Sequence, residues 1–363
     1  MKKTILAMAV PALLAAGSAS ASINLYDANG VKVDASGATE VQFYSDLAEN
    51  SDAKFRHDDG DISINTTVAI SDKINALGGF AYEFEDGDVT NDELFVGFGG
   101  DFGTVTFGRQ YLIADDAGNG KDYEFGGEGV DFVAAHGDQV VKYVYDNGSF
   151  YAGVSALLEE DGKDGDGDVD SGAKKPNFND DGDFDGTFST VDKGEADQII
   201  DGRIGYRTGD LDVRLYAYNG SDIDAGSING ALESATQLDI NGFNIEADYV
   251  MDAFSFAASY GQVEYEDVTT ATSDEELNVD TIGLAADYTM GKNVFAIGYN
   301  RYEGDTNDVA QDFDQDTVYV NATHNFHSNV AGYVELAVAD GEGFDGQDLD
   351  FDTAYLAGLE VKF

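Results

Sequence analysis

Read in steps of two, much of this chain alternates between apolar and polar positions. Over 211–218, Leu211, Val213, Leu215 and Ala217 fall on one side, and Asp212, Arg214, Tyr216 and Tyr218 on the other. Over 281–288 the apolar set is Ile282, Leu284, Ala286 and Tyr288, opposite Thr281, Gly283, Ala285 and Asp287. The last stretch sets Tyr355, Ala357, Leu359, Val361 and Phe363 against Gly358, Glu360 and Lys362. A period of two is the mark of a β-strand with one apolar face. The pattern predicts a short strand at 23–26 and an Asn29-Gly30 turn. Strands then follow at 31–44, 61–70, 74–85, 92–99, 103–111, 138–146, 149–158, 197–208, 210–220, 236–250, 253–266, 279–289, 293–303, 315–326, 330–339 and 351–363.

These are about sixteen strands, an even number, as bacterial membrane barrels have. Short turns such as Ser71-Asp72-Lys73 and Asn147-Gly148 alternate with long links that begin near Ser45, Asp86, Leu112, Glu159, Ser221, Asp267, Gly304 and Asp340. A soluble sandwich would hide its apolar faces in a core, whereas a membrane barrel turns them outward. So many strands, each with one apolar face, fit a closed sheet that leaves no edge. The predicted fold class is all-β, a transmembrane antiparallel barrel with short turns on the periplasmic side and long loops outside.

Composition agrees once the period is known. Mean hydropathy is −0.28 and 25% of residues are charged, yet alternating strands escape hydropathy windows. The two prolines suit a chain that is nearly all strand, since Pro cannot donate to a ladder. Cys is absent, so there is no disulfide or thiolate chemistry. The 20 Tyr and 23 Phe can supply interfacial girdles. A formal charge of −52 argues against nucleic acid as a partner. It fits both a heavily solvated surface and a field that gathers cations at a channel.

The first residues read as a secretory signal over 1–21. Lys2 and Lys3 precede an apolar run from Ile5 to Ala16, and Ala19-Ser20-Ala21 is a cleavage pattern that leaves Ser22 first. Residues 22–363 are then one β-barrel domain. Enzyme signatures are poor. None of His57, His136, His324 and His327 sits in H-E-x-x-H, and no G-x-S-x-G occurs. Gly341 to Gly346 matches G-x-G-x-x-G formally, but it opens no helix and its acids would repel a pyrophosphate. No catalytic residue and no cofactor are expected. The main metal candidate is Asp181-Gly182-Asp183-Phe184-Asp185-Gly186 with Asp192 at the twelfth place, which follows the first half of the D-x-D-x-D-G pattern of a calcium loop without flanking helices, and Asp164, Asp166, Asp168 and Asp170 form a poorer copy lacking the Gly. An acidic solvated loop is the preferred reading of that stretch.

One region carries a family resemblance. Phe95-Val96-Gly97-Phe98 followed by Phe102-Gly103-Thr104-Val105-Thr106-Phe107-Gly108-Arg109-Gln110 resembles the F-V-G-L … F-G-T-V-T-L-G-R-Q signature of Gram-negative general porins. Glu124-Phe125-Gly126-Gly127-Glu128 resembles the P-E-F-G-G-D motif of that family's third external loop. The resemblance implies an outer-membrane homotrimer of a Gram-negative bacterium, with small hydrophilic solutes and ions diffusing passively through a water-filled channel. It implies that the third loop folds inward and that outer-membrane lipid, lipopolysaccharide, periplasmic chaperones and the barrel assembly machinery are partners. It also places Arg109 at a subunit contact and Gly358, Val361 and Phe363 in a carboxy-terminal assembly signal.

The expected constriction acids are Asp92, Asp122, Glu124, Glu128 and Asp131. Asp92 stands where the family usually has Arg, and predicted strand 61–70 has no Arg, so the family's basic wall is largely missing. Lys142, Arg203, Arg207 and Arg214 have lumen parity and are the candidate basic wall. The expectation is a cation-preferring pore. Two rivals remain: a channel selective for an oligosaccharide, stacking sugars on Tyr216, Tyr218 and Tyr319, and a secreted calcium-dependent adhesion protein.

Overall fold

The structure, a computed structural model, describes residues 22–84, 89–126, 135–158, 174–178, 184–190, 198–224, 237–270, 275–307, 312–344 and 346–363. Its strands are β1 (Ile23–Ala28), β2 (Val31–Ser45), β3 (Lys54–Ala69), β4 (Ile74–Glu83), β5 (Thr90–Gly100), β6 (Gly103–Tyr111), β7 (His136–Asp146) and β8 (Phe150–Leu157). There follow β9 (Lys174–Phe178), β10 (Phe184–Thr190), β11 (Gln198–Thr208), β12 (Leu211–Asp224), β13 (Gln237–Met251) and β14 (Phe254–Asp267). The last are β15 (Glu276–Met290), β16 (Asn293–Thr306), β17 (Phe313–His327), β18 (Val330–Glu342) and β19 (Ala354–Lys362).

Sixteen of these strands close into one antiparallel barrel. From β2 to β8 each pairs with the next, β8 pairs with β11, and β11 to β19 continue in order until β19 pairs with β2. β1 folds back on β2 through Asn29 and Gly30, whose φ values of 57° and 76° are the left-handed pair of a two-residue hairpin. β9 and β10 form a separate hairpin, which the alternation did not predict. Among the described residues no helix is long and apolar enough to cross a membrane, so crossing falls to the strands. A closed ring suits that task because every ladder hydrogen bond is made within it.

Burial confirms the predicted faces. Val96 is 64% exposed, Leu284 51% and Leu336 52%, whereas Gln42, Asn244 and Glu246 are fully buried. Apolar side chains outside and polar ones inside are the reverse of a soluble core.

Several strands are longer than predicted, most of all at the end away from the short turns. β3 begins at Lys54 rather than 61, and β15 at Glu276 rather than 279. The reason is visible in Lys54-Phe55-Arg56-His57-Asp58-Asp59-Gly60, which has no clean apolar face. Beyond the apolar band both faces of a strand meet water, and the period of two fades.

Three lumen tyrosines lie flat over glycines of the adjacent strand. Tyr151 is paired with Gly205, Tyr319 with Gly298 and Tyr333 with Gly358. A Cβ on Gly298 would stand 2.1 Å from Tyr319 Cζ, and one on Gly358 2.1 Å from Tyr333 Cζ. Ring and missing side chain interlock, which ties these glycines to packing. At the barrel seam the Phe363 N–H donates to the Gly37 carbonyl at 2.9 Å and its own carbonyl accepts from Gly37 at 3.0 Å.

Candidate functional site

After β6 the chain runs through residues 112–126, a stretch rich in Asp and Gly. Its backbone N–H groups need acceptors. They find them largely in carboxylates and hydroxyls on the inward face of distant strands. Ala114 N–H and the Ser155 hydroxyl both bond the Asp201 carboxylate on β11, and Ile113 N–H donates to Ser155 Oγ at 2.8 Å. Gly118 N–H donates to Glu246 on β13 at 2.5 Å. Lys121 N–H reaches the Tyr319 hydroxyl on β17 at 2.8 Å, and its carbonyl accepts from Asn321 at 2.7 Å.

The densest anchor is Glu335 on β18, only 1% exposed. Its carboxylate accepts the N–H groups of Tyr123 at 2.7 Å, Glu124 at 3.0 Å and Phe125 at 2.9 Å, with the Asn321 amide at 3.0 Å. Hydrogen bonds to a charged acceptor are among the stronger ones, about 1.5–3 kcal/mol each. The Tyr123 ring stacks on Tyr333 with centroids 3.6 Å apart, and Phe125 stacks on Tyr44 at 5.6 Å. The segment therefore makes contacts from β8 round to β18 and β2.

At its far end Glu124 forms an ion pair with Arg56 of β3. Gln42 Nε2 lies 3.0 Å from Glu124, 2.7 Å from Asp58 and 2.8 Å from the Tyr333 hydroxyl. Arg56 also meets Asp58 at 2.7 Å, donates to Gln42 Oε1 at 2.9 Å and lies over the Tyr44 ring at 4.1 Å. The guanidinium is thus held in a fixed plane between two acids and an aromatic face.

The candidate basic wall is a row of neutralised arginines. Arg203 meets Asp116 at 2.6 Å and donates to the Tyr216 hydroxyl at 3.2 Å. Arg207 pairs with Asp146 at 2.6 Å and Asp212 at 3.1 Å, stacked on Tyr151 at 3.8 Å. Arg214 pairs with Glu246 and, at 2.8 Å, with Asp248. Lys142 gives its ammonium to the Tyr111 carbonyl at 2.9 Å. The three arginines do not present bare positive charge to the lumen, whereas the carbonyl that Lys142 meets is neutral and leaves its charge in place.

The expected acids fare differently. Glu124 lies in the anchored segment, as does Asp122, whose carboxylate caps Gly126 N–H at 2.7 Å. Glu128 and Asp131 lie outside the described residues, as do Asp164, Asp166, Asp168, Asp170, Asp181, Asp183 and Asp192; Asp185 falls within β10, whose side chains are not described. Asp92 is not brought to the cluster. A bulge between Ala81 and Tyr82 shifts the register, and the Asp92 carboxylate accepts from the Tyr111 hydroxyl at 2.8 Å. Glu93, opposite the buried Ala81 and in phase with Phe95, is the acid that takes the inward position. The expectation of a wall without Arg on this strand also needs correcting, because the prediction began the strand at 61 and β3 carries Arg56.

Arg56, Gln42, Asp201, Glu246 and Glu335 were not anticipated. A signal existed for two of them: Glu246 between Ile245 and Ala247, and Glu335 between Val334 and Leu336, are lone acids in phase with the lumen. Tyr216, Tyr218 and Tyr319 are 1%, 4% and 1% exposed, so they are not open stacking surfaces for a sugar. Arg109 lies on the outward side with an ion pair to Asp138 and a hydrogen bond to the Asn91 carbonyl at 2.7 Å. At the carboxy terminus Val361 is 41% exposed on the outer face.

Comparison with known proteins agrees with this geometry. The Gram-negative porin family matches residues 6–343. Porin-like protein H of Photobacterium profundum is 47% identical over 364 residues, all of both chains. Among solved structures, a loop L8 deletion mutant of OmpT, an outer membrane protein of Vibrio cholerae, superposes with a TM-score of 0.71 at 20% identity, covering 92% of this chain and 100% of its own. An anion-selective porin from Comamonas acidovorans gives 0.63 at 15% identity, covering 92% and 100%.

Proposed function

From the premise that this chain belongs to the Gram-negative porin family, we propose that it is a passive, cation-preferring channel narrowed by residues 112–126 folded into the lumen. It is an outer-membrane protein, and its barrel is a transport channel. Small hydrophilic solutes and ions would cross down their gradients with no covalent step. In this reading the acceptors on β11, β13, β17 and β18 hold the segment across the opening, and its Glu124 end sets the waist.

The observation that carries the cation preference is the ratio of charges on the inner wall. Arg56, Arg203, Arg207 and Arg214 are each met by at least one carboxylate, together Asp58, Glu124, Asp116, Asp146, Asp212, Glu246 and Asp248. Inward-facing Asp201, Glu335 and Glu93 add further acid. A narrow opening in a low-dielectric wall focuses such a field and raises the local cation concentration. Mobile salt screens it over about 8 Å at physiological ionic strength, so selectivity should be strongest in dilute salt. Reversal potentials of the protein in a planar bilayer test this, and an anion-selective sign would refute it.

We place the protein as a homotrimer and residues 1–21 as a cleaved signal. Native electrophoresis before and after heating, with the mass of the mature chain, tests both. A monomer, or a chain that keeps Met1, would count against them. Interaction with periplasmic chaperones and the assembly machinery would run through the strand ending at Phe363.

A further inference from the structure

The inner face of the barrel changes character toward its external end. The row Glu246, Ser259, Gly283, Asn300 and Thr317, where Glu246 holds Gly118, is polar or small. Two inward rows nearer the long loops it reads Gly242, Val263, Val279, Gly304 and Phe313, and beyond that Ile240, Tyr265 and Leu277. The lumen of a water-filled barrel is polar, so apolar rows there would stand in water. Yet Ile240, Val263, Leu277 and Phe313 point inward and are buried. Exposing them would cost about 25 cal/mol for each Å² of apolar surface, so a cover over them is stabilising.

The chain after β18 supplies part of that cover. It folds back on itself: Leu349 N–H donates to the Gly341 carbonyl at 2.9 Å, Gly343 N–H to the Gln347 carbonyl at 2.9 Å and Gly346 N–H to the Gly343 carbonyl at 2.8 Å. Gly346, at φ 74°, takes the left-handed conformation this turn needs. Phe344 and Leu349 are buried in the same apolar cluster as Leu277 and Phe313, and the Phe344 ring meets Phe313 edge-on with centroids 5.1 Å apart. Phe351 packs against this cluster and against a second one that holds Leu47 and Phe125. Asp352 N–H donates to the Leu47 carbonyl at 2.9 Å, and Ala48 and Phe351 form an antiparallel bridge. The segment thus crosses from the mouth end of β17 to the end of β2, on the external side of Phe125.

We propose that this segment, anchored by Phe344, is a second narrowing in series with residues 112–126, set at the external mouth, and that it limits the size of a solute rather than the sign of its charge. The side chains that seat it are apolar rings and a leucine, without charge to sort ions. An apolar constriction acts by bulk and by resisting wetting. The inference rests on the passive-channel reading and adds a place where size is judged, apart from Glu124 and Arg56.

The test is swelling of liposomes that carry the full protein, with arabinose as the small permeant and the trisaccharide raffinose as the large one. Phe344→Ala removes a buried ring, enough to raise the released fraction of the segment about a hundredfold. The raffinose rate relative to arabinose should rise in Phe344→Ala and in Leu349→Ala. Phe344→Leu, which keeps an apolar side chain, should stay close to the unaltered ratio, and Asp350→Asn, on the exposed side of the segment, should not change it. A heat-shifted gel band like that of the unaltered protein shows that each variant has folded. An unchanged ratio in both alanine variants, with arabinose still entering, would overturn the proposal and leave the channel reading standing. So would an equal rise in Asp350→Asn, since release would then owe nothing to apolar packing. If neither sugar entered through any of the proteins, the channel reading would fall and this inference with it.

Discussion

Replacing Glu335 by Gln keeps the size of the side chain and removes its charge. In the structure one oxygen accepts from Tyr123 N–H and the Asn321 amide, and the other from Glu124 and Phe125 N–H. A glutamine must set its NH₂ group where one of these oxygens stands. Two of the four bonds then become donor facing donor at a site with 1% exposure. Charged hydrogen bonds contribute about 1.5–3 kcal/mol each, so two lost bonds, eased by local relaxation, amount to about 3 kcal/mol. That raises the population of the detached segment about a hundredfold. Single-channel recording should show frequent steps between conductance levels that the unaltered protein lacks. Glu266→Gln, an exposed acid on β14, should show none. The barrel itself should keep its heat-modifiable band, because Glu335 bonds the segment and not the ladder. If Glu335→Gln gave the same conductance and the same current noise, the anchoring account of residues 112–126 would be wrong.

Arg56→Gln should increase cation preference in the reversal potential, since it leaves Glu124 and Asp58 without their guanidinium. Asp92→Asn should leave the reversal potential unchanged while Glu93→Gln lowers cation preference; the opposite order would mean that Asp92 and not Glu93 faces the lumen. Gly298→Ala should cost about 1–3 kcal/mol by forcing Tyr319 off its seat, read as a lower thermal transition of the barrel in detergent. Removing Phe363 should reduce membrane insertion and leave periplasmic aggregate, measured by fractionation, and normal insertion would argue against a role for that terminus in assembly.

The barrel was legible because lipid imposes a period of two on every spanning stretch. Leu211 to Ala217 and Ile282 to Tyr288 show it without help from any neighbour. The upper end of β3 was not legible, since water lies on both faces there and Lys54 to Gly60 reads as a loop. That error hid Arg56 and led to the view that the wall lacked an arginine. The site was half legible. Glu124 stood in a motif, but its partners Gln42 and Arg56 are 82 and 68 positions away, and only closure of β19 on β2 and the path of residues 112–126 bring them together. Glu246 and Glu335 carried a local signal in their phase. What phase cannot say is that a buried acid waits for a backbone N–H of a segment more than a hundred residues earlier. Asp92 failed for a different reason: it was placed by the family motif, whereas its own phase with the outward Leu94 and Val96 leaves Glu93, in phase with the buried Phe95, as the inward acid.

An inner wall with Glu124 at the waist would set surplus negative charge in the path of every ion. The reversal potential of the purified protein across a planar bilayer, in a dilute KCl gradient, reads this directly. We expect a potential on the cation side, reduced by Glu124→Gln and weakened as salt is raised to molar concentration. A potential on the anion side, or one that Glu124→Gln leaves unchanged, would contradict it.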